Sequence, residues 1–225
     1  MKKSSARVAF AILAALMGAT GFGCAAATYQ VKVNGYSDPA TPARFEPGAT
    51  FFVMDNKESK NPLLDNEIKA KINTLLERRG FSIAPFEKAR YYLFFSYGLG
   101  SSQGARVAMP DYSIGFGLGY GYYSPHYDFL FWPGYAYYPG YYAEPLYDRW
   151  LLINVVEGQH YRDTGKFRTV WVGETRSTGT SSDIREVINP LLLAAFTQFG
   201  QDTGKAVTVD VRKDDPRMRQ LERVR

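Results

Sequence analysis

The order of apolar and polar positions divides this chain into short alternating runs and two long amphipathic ones. Tyr29, Val31 and Val33 alternate with Gln30, Lys32 and Asn34, the period-two pattern of a half-buried strand. Residues 37–48 hold Pro39, Pro42, Pro47 and Gly48 and predict a loop. Thr50-Phe51-Phe52-Val53-Met54 is a continuous apolar run and predicts a buried strand. From Leu64 the period changes: Leu64, Ile68, Ile72, Leu75 and Leu76 fall on one face of a helix. Asn61 is placed to cap that helix, Pro62 suits its first turn, and Gly80 ends it. Glu67 and Lys71, four apart, are expected on its exposed side. Residues 81–86 predict a short strand. Residues 91–97 are almost wholly apolar and predict a central strand covered on both faces.

The second half repeats the theme. Trp150-Leu151-Leu152-Ile153-Asn154-Val155-Val156 predicts a strand, with residues 167–175 as its antiparallel partner and a turn through 158–165. In that partner Val170 and Val172 are expected on one face and Trp171 on the other. Asp183, with Glu186 three residues later, has the spacing of a capping box. Ile184, Val187, Ile188, Leu191, Leu192, Ala195, Phe196 and Phe199 then make a wide apolar face that Gly200 terminates. Pro190 is expected to kink this helix. Residues 206–211 predict the last strand. The order implies an α/β (α+β) fold. It is a two-layer sandwich: a mixed, mostly antiparallel sheet with two amphipathic helices on one face.

The first 24 residues stand apart. Lys2, Lys3 and Arg7 precede an apolar run from Val8 to Met17, and small residues then lead to Gly23-Cys24. That succession reads as a secretory signal peptide over residues 1–23. The run is shorter than the roughly 20 apolar residues a spanning helix needs. Cys24 is the only cysteine in 225 residues. The segment resembles the lipobox of bacterial lipoproteins, with Gly23 in place and Gly21 where leucine is usual. The resemblance implies that Cys24 carries a lipid, with acyl chains such as palmitate, and becomes the new N-terminus. Ala25, where an aspartate would retain such a protein at the inner membrane, implies the outer membrane, facing the periplasm or the surface. The alternative is an ordinary signal cut near Ala25-Ala26-Ala27, with Cys24 discarded.

Charge changes meaning once that segment is set aside. The net charge of +5 belongs mostly to the two ends of the chain. Residues 24–211, read as one domain, hold 18 basic and 19 acidic residues, whereas residues 212–225 hold six basic and three acidic. A nucleic-acid partner is therefore not expected. The basic tail is read as solvated and partly disordered, or as a contact for anionic lipid or polymer.

Residues 112–147 form a Gly/Tyr-rich insertion. Eleven of the 17 tyrosines lie there, and Asp128 is the only formal charge from Tyr112 to Ala143. Gly115-Phe116-Gly117-Leu118-Gly119-Tyr120 places bulk on one side of an extended chain and bare backbone on the other. No helix can open at these glycines, so they are not a dinucleotide cradle. Three readings stay open. One is a low-complexity connection. Another is an adhesive surface using rigid aromatic contacts, with Tyr120, Tyr122, Tyr123, Trp132, Tyr137 and Tyr138 as the candidate partner contact. The third is a β extension that assembles with copies of itself, opposed by Pro125, Pro133 and Pro139.

Catalytic chemistry finds little footing. His126 and His160 are the only histidines, and neither has a partner at metal-ligand spacing. No GxSxG or HExxH run occurs, and Ser181-Ser182-Asp183 is explained by capping. No catalytic residue, metal or cofactor is expected; a hydrolase is the least favoured reading.

Trp150-Leu151-Leu152-Ile153, Thr169-Val170-Trp171-Val172-Gly173-Glu174-Thr175, Asp183-Ile184-Arg185-Glu186-Val187-Ile188 and Ala194-Ala195-Phe196 together resemble domain-of-unknown-function family 4136, a family of exported bacterial lipoproteins. Arg78-Arg79-Gly80-Phe81 and the strand from Tyr91 fit the first half of that pattern, with Ala89-Arg90 where Ala-Asp is usual. The resemblance covers residues 29–211 apart from the insertion. It implies an envelope lipoprotein with an α/β domain and supplies no catalytic residues. The domain shape is similar to small periplasmic adaptor domains. The expectation is a lipid-anchored, non-enzymatic accessory or adaptor that binds an envelope protein or polymer. A self-assembling surface component is the alternative.

Overall fold

The computed structural model describes residues 27–40, 45–56, 59, 61–101 and 146–224. Seven strands form one sheet: β1 (Thr28–Ser37), β2 (Thr50–Val53), β3 (Ser82–Ile83), β4 (Tyr91–Ser101), β5 (Tyr147–Glu157), β6 (Thr169–Gly179) and β7 (Val207–Arg212). Their order is β3-β2-β4-β5-β6-β1-β7. β2 runs parallel to β3 and β4, and the other neighbours are antiparallel. Among the described residues there are four helices: α1 (Pro62–Arg78), α2 (Gly158–Thr164), α3 (Ile184–Thr197) and α4 (Pro216–Glu222). The fold is the mixed, mostly antiparallel α/β sandwich that the sequence implies.

Alternation along the strands sorts residues between two cores. On β4, Tyr91, Leu93 and Phe95 join the large core under α1 and α3, with Ile68, Ile72, Ile188 and Leu192. Tyr92 and Phe94 point the other way and, with Val156, Tyr161 and Phe167, make a smaller core beneath α2. β4 is thus the central strand covered on both faces, buried from Tyr91 to Phe95. Asn61 caps α1, its side chain accepting from the Leu64 N–H at 3.2 Å, with Pro62 at the first position.

Several expectations need correction. The turn after β5 is the helix α2, closed by Gly165 in the left-handed region at φ 66°. The strand over residues 81–86 shrinks to two residues at the sheet edge. Val170 and Trp171 do not face opposite ways. A bulge beside Val155 and Val156 inserts one extra residue into β6, and both side chains enter the large core. Nor is the basic tail wholly solvated. α4 buries Met218 and Leu221 in the same core, so the domain runs past residue 211. The capping box at α3 is half-formed. Asp183 accepts from the Arg185 N–H at 2.9 Å, while Glu186 bonds elsewhere.

Trp171 ties three elements together. Its ring lies over Gly173, where a Cβ would stand 2.2 Å from the indole. Its Nε1–H donates to the Gln201 carbonyl at 3.0 Å, and Phe199 packs against it with centroids 4.9 Å apart. The loop after α3 is thereby held to the sheet, which sets where α3 crosses it.

α3 is also bonded to α1, through a pair expected to be exposed. Glu67 and Lys71 are 7% and 1% exposed. Lys71 Nζ donates to Glu67 at 2.7 Å, and Arg185 on α3 covers the other carboxylate oxygen. Burial pushes the Glu67 carboxyl up, but hydrogen bonds from Arg185 and Lys71 and their charges outweigh it, so it stays below its usual range. A depressed carboxyl contributes fully above its unfolded pKa of about 4.3 and loses that contribution as pH falls through the folded value. Glu67→Gln strands the Lys71 ammonium and should cost about 3 kcal/mol in urea unfolding at neutral pH. The gap to the native chain should close as the pH is lowered below about 4. An unchanged midpoint at pH 7 would contradict this account.

Candidate functional site

The residues expected to carry function are Cys24, Tyr120, Tyr122, Tyr123, Trp132, Tyr137 and Tyr138, and all lie outside the described residues, as does His126. What is described is the frame that presents them. β4 and β5 pair residue for residue to the end, where Ser101 stands opposite Tyr147. The chain therefore leaves the sheet and returns to it on neighbouring strands. Tyr147 in turn pairs with Gly179, and Thr28 pairs with Arg212. Because β1, β4, β5, β6 and β7 alternate in direction, the start of β1 and both ends of the insertion reach one end of the sheet.

A cavity of about 190 Å³ opens at that end. Tyr29, Arg149, Ser177, Gly179, Ser181, Glu186 and Lys213 are among its lining residues. Arg149 stands on the core side of β5, in series with Leu151, Ile153 and Val155, and is 3% exposed. Its Nε is buried without a hydrogen-bond partner. Burial pushes its guanidinium down, and the nearby Tyr29 and Glu186 push it back up. A Cβ at Gly179 would stand 2.6 Å from one terminal nitrogen and 3.0 Å from the other, so a side chain there would force the guanidinium tip to shift.

Glu186, in the first turn of α3, organises the rim. It accepts from the Tyr29 hydroxyl at 2.9 Å and the Ser181 hydroxyl at 2.7 Å, and Lys213 Nζ is 3.6 Å away. Bonds from Ser181 and Tyr29 hold its carboxyl below the usual range. Burial and the bond to Glu186 raise the Tyr29 phenol to about 12, so it stays a donor at neutral pH. The result is a cation-lined hollow whose one carboxylate is already occupied.

Sequence reasoning missed this site, although a signal existed. Arg149 is a charged residue at a position that the alternation of β5 assigns to the core. A second cavity, of about 160 Å³, lies at the start of α1. There Asp65 accepts from the Tyr97 hydroxyl at 2.6 Å and keeps its other oxygen buried without a partner. Among the described residues, no group of three His, Cys, Asp or Glu side chains is placed to hold a metal ion, and His160 lies within α2.

The model of a domain of unknown function, DUF4136, matches residues 33–199. The chain belongs to this family. Among solved structures it is similar to a DUF4136 family protein from Bacteroides thetaiotaomicron. That match has 20% identity, 74% of this chain and 91% of that one covered, and a TM-score of 0.38. It is also similar to the PelC dodecamer from Paraburkholderia phytofirmans, at 14% identity, 76% and 98% coverage and a TM-score of 0.38. A PDZ domain protein from Parabacteroides distasonis matches at 15% identity and a TM-score of 0.46, covering 83% of this chain and 40% of that one. No curated protein matches the chain. The DUF4136 match embraces Val170-Trp171-Val172-Gly173, whose glycine the overlying indole requires.

A buried cation with an unmet donor costs stability. Arg149→Met keeps most of the buried apolar stem and removes the charge. It should raise the stability of the fold by about 1 kcal/mol in urea unfolding. A loss of similar size would mean that Arg149 is a structural strut and not part of a site.

Proposed function

We propose that this DUF4136 protein is a lipid-anchored, non-enzymatic component of the bacterial outer membrane. In this reading it holds another envelope protein or polymer through its Gly/Tyr-rich segment. The observation that carries the reading is the register of β4 and β5. The segment between them departs and returns one strand apart, at Ser101 and Tyr147, so it is an excursion from a sheet whose pairing closes without it. Cys24 precedes by three residues Ala27, whose carbonyl accepts from the Lys213 N–H at 2.8 Å. Anchor and segment therefore approach the domain at the same end. Aromatic side chains in that segment supply large, rigid contact area at low entropic cost, with Tyr120, Tyr122, Tyr123, Trp132, Tyr137 and Tyr138 as the contact.

Two experiments test this. Deleting residues 115–142 should leave a cooperative thermal transition in place while abolishing retention of an envelope partner on the immobilised protein. Loss of the transition would make the segment part of the fold, and concentration-dependent oligomers that vanish in the deletion would replace adaptor function by self-assembly. Separately, the mass of membrane-extracted protein should equal the chain from Cys24 plus a diacylglyceryl group and one acyl chain, an increment absent from Cys24→Ala. A mass beginning after Cys24 would remove the anchor from the proposal.

A further inference from the structure

We infer that the hollow around Arg149 is a binding site for a phosphate oxyanion, and that its source is the headgroup of an anionic phospholipid. The site rests on geometry alone; only the choice of source rests on the reading of Cys24 as the anchor.

The hollow holds a donor that nothing in it satisfies. Arg149 is 3% exposed and its Nε has no hydrogen-bond partner. A guanidinium offers a planar fork of donors suited to carboxylate or phosphate oxygens. Glu186, the one carboxylate in the lining, makes no hydrogen bond to them. Glu186 gives one oxygen to Tyr29 and the other to Ser181. What remains facing the cavity is Arg149, with the hydroxyl-bearing Ser177 and Thr180 and with Lys213, whose Nζ lies 3.6 Å from Glu186; the Thr178 hydroxyl donates to Asp148 at 2.8 Å. Among the lining residues Arg149 and Lys213 are positive and Glu186 is negative, an excess of one positive charge that matches a singly charged phosphodiester. Gly179 leaves the guanidinium tip where it stands, since a Cβ there would displace it.

The position of the cavity favours a lipid source. Thr28, Tyr29 and Lys213 line the cavity, and Ala27 is bonded to Lys213. Cys24 lies three positions before Ala27, a span of at most about 11 Å when fully extended. A lipid on Cys24 would hold this end of the domain against the headgroup layer. Basic residues near such a surface each gain about 1 kcal/mol from anionic lipid, and a built pocket adds selectivity to that attraction.

The test uses the exported chain carrying Cys24→Ser, so that no acyl chain contributes and the outcome is independent of whether Cys24 is lipidated. Inorganic phosphate binding is followed by calorimetry. Flotation is measured with vesicles of phosphatidylcholine alone and of phosphatidylcholine mixed with phosphatidylglycerol. The expected result is saturable phosphate binding and flotation only with the mixed vesicles. Both should fall roughly tenfold in Arg149→Met, a loss of about 1.4 kcal/mol in binding free energy. Gly179→Ala, which displaces the guanidinium tip, should weaken both as well, and Lys88→Gln, at the opposite end of the sheet, should change neither. Saturable, Arg149-dependent phosphate binding without flotation upholds the site and assigns it a soluble phosphate. Absence of saturable phosphate binding overturns the site. Flotation that survives Arg149→Met overturns the headgroup assignment and leaves the basic tail as the sole cause.

Discussion

The indole of Trp171 is the contact on which the rest of the arrangement turns. Trp171 enters the large core in regular register opposite Val155, and the bulge in β6 turns the extra residue Val170 in beside it. There its N–H holds the Gln201 carbonyl, just after α3, and its ring packs on Phe199. With the C-terminal end of α3 pinned to β6, the helix must cross β1 toward the other end of the sheet. Its first turn then arrives where Arg185 reaches Glu67 on α1 and Glu186 reaches Tyr29 on β1. One hydrogen bond and one ring contact at the base of α3 therefore align both the salt link between the helices and the rim of the cavity. Gly173 is part of the same constraint, since a side chain there would displace the indole.

The elements governed by local periodicity were legible in the sequence. The apolar face of α1, its Asn61 cap and the double-sided burial of β4 all follow from residue spacing. Long-range pairing was not legible where it reversed a local rule. Glu67 and Lys71 have the spacing of an exposed helix pair, and only Arg185, 118 residues away, makes their burial tolerable. The bulge that turns Val170 and Trp171 to one side is a property of pairing between β5 and β6, invisible to alternation within β6. The tail looked solvated because its charge is high. Two apolar residues three apart, Met218 and Leu221, are enough to fold it against α3 once Pro216 starts a turn of helix.

The candidate site was missed in the sequence, although one of its residues carried a signal. Among its lining residues Ser181 stands just before a helix, and local capping accounts for its type. Arg149 cannot be explained that way. The positions on either side of it in the same facing series are Leu151, Ile153 and Val155, and a fold selected for stability alone would continue that series. A charge in the core register with an unmet donor is the kind of local inconsistency that marks a functional position. The Asp65 cavity is a weaker case, because its carboxylate already accepts from Tyr97 and sits in the first turn of a helix, where negative charge is favoured.

Geometry also limits how an anchored form of this protein could work. With a lipid on Cys24, as proposed, the short lead to Ala27 leaves no room for the domain to stand away from the bilayer. The end of the sheet that carries Thr28, Arg212, Ser101 and Tyr147 would then face the headgroups. Charge is distributed to suit that pose. Residues 24–211 are nearly neutral, and the basic excess of the tail is folded back by β7 and α4 to the same end. The Gly/Tyr-rich segment would also begin at the membrane surface, where side chains with an apolar body and a polar tip are favoured. A partner held by that segment would consequently be held at the bilayer, and the anchor, the basic tail and the aromatic segment would act on one plane. In that pose orientation on the membrane, and not reach into the periplasm, would be the property that the fold controls.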